Sequence, residues 1–154
     1  MELTVEQFVA ACERAAGLVA EDLAGSFPDV ETIVRMGIED NFDNERSAAD
    51  FWGGGGQWPE RKVKGDGHPL LNESGALRAA ATQKGAVGSV SRIEGDTLEV
   101  GVEASGPGGL PGARRHQYGD SPPGIRQREF VGISDDTLEF VAERVAEELV
   151  RKLF

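Results

Sequence analysis

Glycine and proline partition this chain more firmly than any other feature. Twenty-one glycines are unevenly placed, with Gly53 to Gly56 in one run and Gly106, Gly108, Gly109 and Gly112 gathered around Pro107 and Pro111. Glycine weakens a helix or strand interior by roughly 0.5–1 kcal/mol relative to alanine, because it has the most backbone freedom to lose. The two knots therefore imply two long loops, either flexible or specially shaped, with regular structure pushed to either side of them.

A helix is expected first. Thr4 and Gln7 form a capping-box pattern, and Phe8, Cys12, Ala15, Val19 and Leu23 draw one apolar stripe at spacings of three and four. Glu6, Glu13, Arg14, Glu21 and Asp22 carry its polar side, and Gly25 and Pro28 are expected to end it. Residues 29–40 fit a short helix or a strand. Asn41 to Lys64 is polar and glycine-rich, and the 41–67 stretch reads as a flexible loop. Phe51, Trp52 and Trp58 sit in that stretch, and large aromatics there require packing on the core or on a neighbouring subunit.

His68 opens a turn that runs into a short helix through about Thr82. A hairpin follows. Val87 to Ile93 is its first strand, Glu94-Gly95-Asp96 the turn, and Leu98, Val100 and Val102 alternate with Thr97, Glu99 and Gly101 in the second. Ser105 to Gly112 is the glycine–proline loop. Arg114 to Gly119 fits a short strand or a turn of helix, and after a second proline loop, Ser121 to Gly124, the segment Ile125 to Ile133 is expected as a strand. The last helix has the clearest signals. Ser134 is its N-cap, Asp135 and Asp136 suit the positive end of its dipole, and Arg151 and Lys152 suit the other end. Leu138, Val141, Val145 and Leu149 form its expected core stripe, with Phe140 beside it. The whole reads as one α+β domain over residues 1–154, its N-terminal and C-terminal helices packed on a small antiparallel sheet and joined by long glycine-rich loops.

Charge narrows the partners. A net charge of −11 opposes general DNA binding, which draws its affinity from lysines and arginines that release counterions. It suits solubility, or a channel wall along which DNA slides without sticking. No apolar run is long enough to span a membrane, and Met1 to Glu6 lacks the basic head and apolar stretch of a signal peptide. Cys12 is the lone cysteine, so no intramolecular disulfide is available and a reducing compartment suits the chain.

Chemistry is thinly provided for. Two histidines, His68 and His116, stand in different segments without metal-ligand spacing, so no metal site is expected. No serine or cysteine has a nucleophile elbow, and Asp40 and Asp43 are an acidic pair with nothing to orient them. The glycine run lacks the Gly-Lys-Ser/Thr ending and the preceding strand of a phosphate loop. Arg114-Arg115 and Arg126 with Arg128 form basic clusters that suit ion pairing with an acidic neighbouring subunit better than contact with DNA. No cofactor and no enzymatic activity are expected.

Four ordered motifs run from Trp58 to the final helix. A tryptophan segment around Trp58 precedes Pro69-Leu70-Leu71-Asn72-Glu73-Ser74-Gly75-Ala76-Leu77. After the hairpin come Arg115-His116-Gln117-Tyr118-Gly119 and then Ile125-Arg126-Gln127-Arg128-Glu129-Phe130-Val131-Gly132-Ile133-Ser134. This order resembles the phage virion-morphogenesis, or tail-completion, family of the Mu and P2 type. There a Pro-Leu-(Ile/Leu)-x-x-(Thr/Ser)-Gly-x-Leu motif, a hairpin, an Ile-His-Gln-(Phe/Tyr)-Gly-like segment and an Ile-Pro-x-Arg-x-Phe-Leu-Gly-(Ile/Leu)-Ser segment follow one another. Arg126 and Glu129 stand where that family commonly has proline, the glycine–proline loop enlarges the segment before His116, and the first 50 residues match only in carrying a helix.

The resemblance implies a structural virion protein at the head–tail junction, a neck or tail-completion subunit of a ring, often hexameric, around the DNA channel. Its expected partners are copies of itself, head–tail connector or stopper proteins, and tail-terminator or tail-tube proteins. Phage DNA would pass through without sequence-specific binding, and the place would be the virion, with the host cytoplasm during assembly. The motif residues also have physical roles of their own. Ser74-Gly75 permits a tight turn before Leu77. Arg128, between apolar Ile125 and Phe130, needs a carboxylate or backbone carbonyls to hold its guanidinium. His116 and Tyr118, if extended, point opposite ways. Bracing of the fold is the expected role of Trp58, Pro69, Leu70, Ser74, Gly75, Leu77, His116, Gln117, Tyr118, Gly119, Arg128, Phe130 and Gly132, and Trp52, Trp58 and the 105–112 loop are candidate clamps on neighbours. A different class of function is a small acidic binding or inhibitory module that mimics DNA, but lysines and arginines interrupt the acidic stripe it would need.

Overall fold

A computed structural model describes residues 5–47, 56–60, 70–71, 74–95, 97–119 and 126–153, with side chains from residue 24 to 151 of these. Trp52, Pro69, His68, the Gly53 to Gly55 part of the glycine run and the second proline loop lie outside the described residues. The fold is α+β, with four helices and one two-stranded antiparallel sheet among the described residues.

The first helix, α1 (Val5–Asp43), runs straight through the expected stop at Gly25 and Pro28. It also absorbs residues 29–40, which fitted two alternatives, and the first residues of the expected 41–67 loop. A proline inside a helix removes one hydrogen bond and crowds the preceding turn, at a cost of about 3 kcal/mol. Burial offsets that cost here. Phe27 is buried just before the proline, Ile38 and Phe42 enter the core beyond it, and Glu31, Arg35 and Asn41 are buried with polar partners. The helix ends where Glu45 takes a left-handed φ of 49° and the Arg46 N–H turns back to the Asn41 carbonyl at 3.0 Å.

Helix α2 (Ala76–Thr82) starts after Gly75, whose φ of 71° is open to glycine at little cost. The hairpin pairs β1 (Ser89–Glu94) with β2 (Thr97–Val102) in the register Ser89↔Val102 to Glu94↔Thr97. The strands thus enclose a two-residue turn opened by Gly95 at φ 61°, which matches the right-handed twist of a tight hairpin. The following glycine–proline loop is shaped rather than open. The Leu110 N–H closes on the Glu103 carbonyl at 2.7 Å, and a Cβ on Gly109 would strike the Ser105 backbone at 2.6 Å.

Arg114 to Tyr118 is helical, within α3 (Pro111–Tyr118), with Pro111 in the first turn where its missing N–H is harmless. The expected strand at 125–133 is not a strand; its described part, 126–133, is extended but belongs to no sheet. Helix α4 (Asp135–Leu153) begins on Ser134, whose hydroxyl accepts the Thr137 N–H at 3.2 Å. It packs on α1, while α1 and α2 face the sheet. The expected α4 stripe is only partly right: Val141, Val145 and Leu149 are half-buried, but Leu138 is exposed, and the buried position on this helix is Glu148 among the described residues. Gly37 sets the closeness of α1 and α4, since a Cβ there would lie 2.8 Å from the Thr137 hydroxyl oxygen.

The core gathers Ile38, Phe42, Trp58, Leu70, Ala81, Ala113 and Phe130, with Leu77, Leu110 and Val102 against it. Beside it, Glu31 ties three elements. Its carboxylate accepts Arg35 of its own helix at 2.9 Å, Lys84 beyond α2 at 2.6 Å and Ser91 of β1 at 2.9 Å. Burial pushes this carboxyl upward, but the hydrogen bonds from Lys84, Arg35 and Ser91 and the Arg35 charge outweigh it and hold the group below the usual carboxylate range. Arg35 uses its remaining donors on the Ala81 and Val90 carbonyls at 3.0 and 2.9 Å.

Candidate functional site

The motif segments, far apart in sequence, come together around the extended residues 126–132. An extended backbone buried without a neighbouring strand must find its hydrogen bonds elsewhere. Here side chains act in place of that strand. The Gln117 amide oxygen accepts the Phe130 and Val131 N–H groups at 3.1 and 3.0 Å, and its nitrogen donates to the Val131 carbonyl at 2.9 Å. Gln117 thus takes both the N–H and the carbonyl of Val131, as an antiparallel neighbour would, and at the bend there its oxygen also takes the adjacent Phe130 N–H. From the other side Asn41 donates to the Phe130 and Gly132 carbonyls at 3.2 and 2.9 Å, and the Trp58 indole donates to the Glu129 carbonyl at 3.1 Å. The Arg128 N–H reaches the His116 carbonyl at 2.7 Å.

Arg128 completes the clasp in the reverse direction. Its Nε and Nη2 donate to the Pro59 carbonyl at 3.0 and 2.8 Å, and Nη2 also reaches the Glu60 carbonyl at 3.3 Å. Backbone carbonyls, one of the two holders expected for this guanidinium, thus fix the segment that carries Trp58. Trp58 is only 3% exposed and meets Phe42 edge-on at 5.6 Å, with Phe130 against the same Phe42 ring at 5.7 Å. Trp58 accordingly packs on the core, and it is not placed on the surface to clamp a neighbour.

Other motif residues take graded positions. Leu70 is in the core, and its N–H is accepted by the Glu45 carboxylate at 2.7 Å. Leu71 holds a left-handed φ of 58°, a strained conformation for a bulky side chain. Ser74 lies at the α2 N-terminus, with its Oγ 3.4 Å from the Ala76 nitrogen, and Leu77 packs on the core from α2. His116 is half-buried and Tyr118 is 67% exposed, pointing apart from a helix rather than from a strand. Gly119 ends α3 at φ 75°, and Gly132 is buried beneath Asn41.

Leu70, Leu71, Leu77, Leu110, Ala113 and His116 border a cleft of about 390 Å³, with Arg128 at its side. Burial, and then the Arg128 charge, lower the His116 pKa, so the ring stays neutral where a free imidazole begins to titrate. Its Nδ1 is buried and without a partner. A larger groove of about 1020 Å³ lies between α1 and α4, bordered by Ile33, Met36, Gly37 and Phe140 and by several carboxylates. Among the described residues no group of histidine, cysteine and carboxylate side chains could hold a metal ion. No described helix is long and apolar enough to cross a membrane.

Two residues of this arrangement, Asn41 and Glu45, carry no mark in the sequence. Asn41 falls in the stretch that reads as a loop, and nothing in its neighbours marks it as the donor that reaches 91 positions along the chain. Glu45 was hidden in the same way. Glu31 and Arg35 did carry a signal, an acid and a base four residues apart, which is the spacing of an intrahelical pair. Asp40 and Asp43 do not form an acidic site: Asp40 pairs with Arg46 at 2.8 Å and Asp43 with Arg78 at 2.7 Å. No family model, no curated protein and no solved structure matches the chain.

Proposed function

We propose that this protein is a structural component of a tailed-phage virion, a ring-forming neck or tail-completion protein at the head–tail junction. The observation that supports it is the clasp. The four motifs that carry the resemblance meet one another: Trp58 and Gln117 both bond to the 125–134 segment, Arg128 of that segment bonds back to the Trp58 segment, and Leu70 and Leu77 pack on the same core. Their order in the chain is therefore matched by mutual contact, as parts of one inherited module would be. The roles available to them are positional, since they are spent on backbone groups and offer no free nucleophile. In this reading the chain joins the capsid connector to the tail, and copies of it, six in the commonest arrangement of such rings, surround a channel through which DNA passes without base-specific contacts.

The test is location and mass. Antibody labelling of purified virions should place the protein at the junction of head and tail, and native mass spectrometry of the protein with its connector or tail partners should give a closed ring. A protein that stays monomeric with those partners and is missing from particles overturns the proposal.

A further inference from the structure

The exposed cations of this acidic chain are unevenly committed. Arg46, Arg78, Lys84, Arg92, Arg144 and Arg151 each hold a carboxylate within 3.4 Å. Arg128 of the expected basic clusters is buried on carbonyls, and Arg115 has an interaction of its own. Arg114 on α3 and Arg126 at the start of the extended segment are exposed, and among the described residues neither has an acidic partner. Tyr118, 67% exposed, stands on the same short helix as Arg114. Arg114 and Tyr118 are one turn apart on α3, and the Arg128 N–H on the His116 carbonyl brings the segment that begins with Arg126 against the same helix, so this corner carries two guanidinium groups and an aromatic ring, residue types that dominate the energy of protein interfaces.

The groove between α1 and α4 is its complement. Its floor carries the apolar side chains Met36 and Phe140, 65% and 62% exposed. Its rim is acidic, with the carboxylates Asp40, Asp135, Asp136, Glu143 and Glu147 set against the guanidinium groups of Arg46 and Arg144. Asp135, Asp136 and Glu143 hold no cation among the described residues. A floor of that kind selects a partner that is basic and partly aromatic, and it repels nucleic acid.

We infer that the α1–α4 groove receives the Arg114–Tyr118–Arg126 corner of a second copy of this chain. The two surfaces share no residue, so the contact is head-to-tail and each copy uses both, which leads to a ring or a filament according to whether the rotation closes. A guanidinium over the Phe140 face gains cation–π attraction, and the acidic rim fixes the orientation. The inference rests on the self-assembly part of the proposed function, and it specifies which surfaces meet.

Charge reversal tests it in full-length protein by light scattering and native mass spectrometry. Wild type should associate, more weakly at high salt because the rim charges are screened. Arg114→Glu with Arg126→Glu should weaken association by about 100-fold or more, since like charges then face each other. Asp136→Lys with Glu143→Lys should do the same, and Glu143→Lys alone gives a milder form that spares the α4 N-terminus. Unchanged circular dichroism and melting are expected for the arginine pair and for Glu143→Lys alone, and a slightly lower melting temperature for the Asp136→Lys pair, which places a cation at the α4 N-terminus. Mixing the two double variants should restore assemblies in which they alternate, because each then presents the charge the other lacks. Association that ignores both reversals, or no rescue on mixing, overturns this interface while leaving the location of the protein in particles to its own test. A wild type that never self-associates overturns it as well.

Discussion

Replacing Gln117 with methionine isolates what its amide contributes. Methionine has nearly the same length and volume, so the core around it is neither emptied nor overfilled. Three hydrogen bonds are lost, two accepted from the Phe130 and Val131 N–H groups and one donated to the Val131 carbonyl. Phe130 is 1% exposed, so its N–H has no water to turn to, and an orphaned buried donor costs about 1–3 kcal/mol. Val131 is half-buried, and each of its two groups can recover part of its loss from solvent, leaving about 0.5–1 kcal/mol apiece. The sum is about 2–5 kcal/mol, a large share of a typical domain's stability. Urea unfolding should show a lower midpoint with an unchanged slope, because the surface exposed on unfolding is the same. Amide exchange should quicken first at Phe130 and Val131. A loss below about 0.5 kcal/mol, the range of an ordinary surface substitution, would refute the claim that Gln117 replaces a strand.

Three further outcomes are expected. Glu31→Gln should cost roughly 3–5 kcal/mol by leaving buried Arg35 without its counter-charge. In wild type the Glu31 contribution is full above the unfolded carboxyl pKa of about 4.3 and is lost as pH falls through its lowered folded value, so melting curves of Glu31→Gln should lack part of the acid limb. Gly37→Ala should lower the melting temperature despite alanine's better helix propensity, because its Cβ would press on Thr137, which is itself held to Ser134 at 3.1 Å. Pro28→Ala should raise stability by about 1–3 kcal/mol in chemical denaturation, because Pro28 is exposed and contributes a missing hydrogen bond without buried contacts in exchange.

The elements that were legible in the sequence are those with a local cause. Ser134 and the two aspartates after it mark the start of α4, alternation marks β2, and Ser74-Gly75 marks the turn into α2. What was not legible depends on contacts made at a distance. Pro28 reads as a stop because its local cost is large, and only the burial of Phe27, Ile38 and Phe42 on both sides outweighs it. Residues 126–133 look like a strand because a buried extended segment is one in most respects. That its ladder would be assembled from Gln117, Asn41 and Trp58 has no periodic signature. The candidate site was legible as a set of residues and illegible as a geometry: Arg128 was expected to be held by carbonyls or a carboxylate, but nothing pointed to the carbonyls of Pro59 and Glu60.

The clasp also bears on the tempo of folding. Its bonds join positions 69, 71 and 91 apart along the chain, so the loops they close are long and the entropy of closing them must be met before any bond is made. The hairpin and α2, whose contacts are local, can form without waiting. Residues 126–132 can be seized only once the end of α1, the Trp58 segment and α3 are already in place. They are therefore the last turn of the lock, and substitutions there should speed unfolding far more than they slow folding.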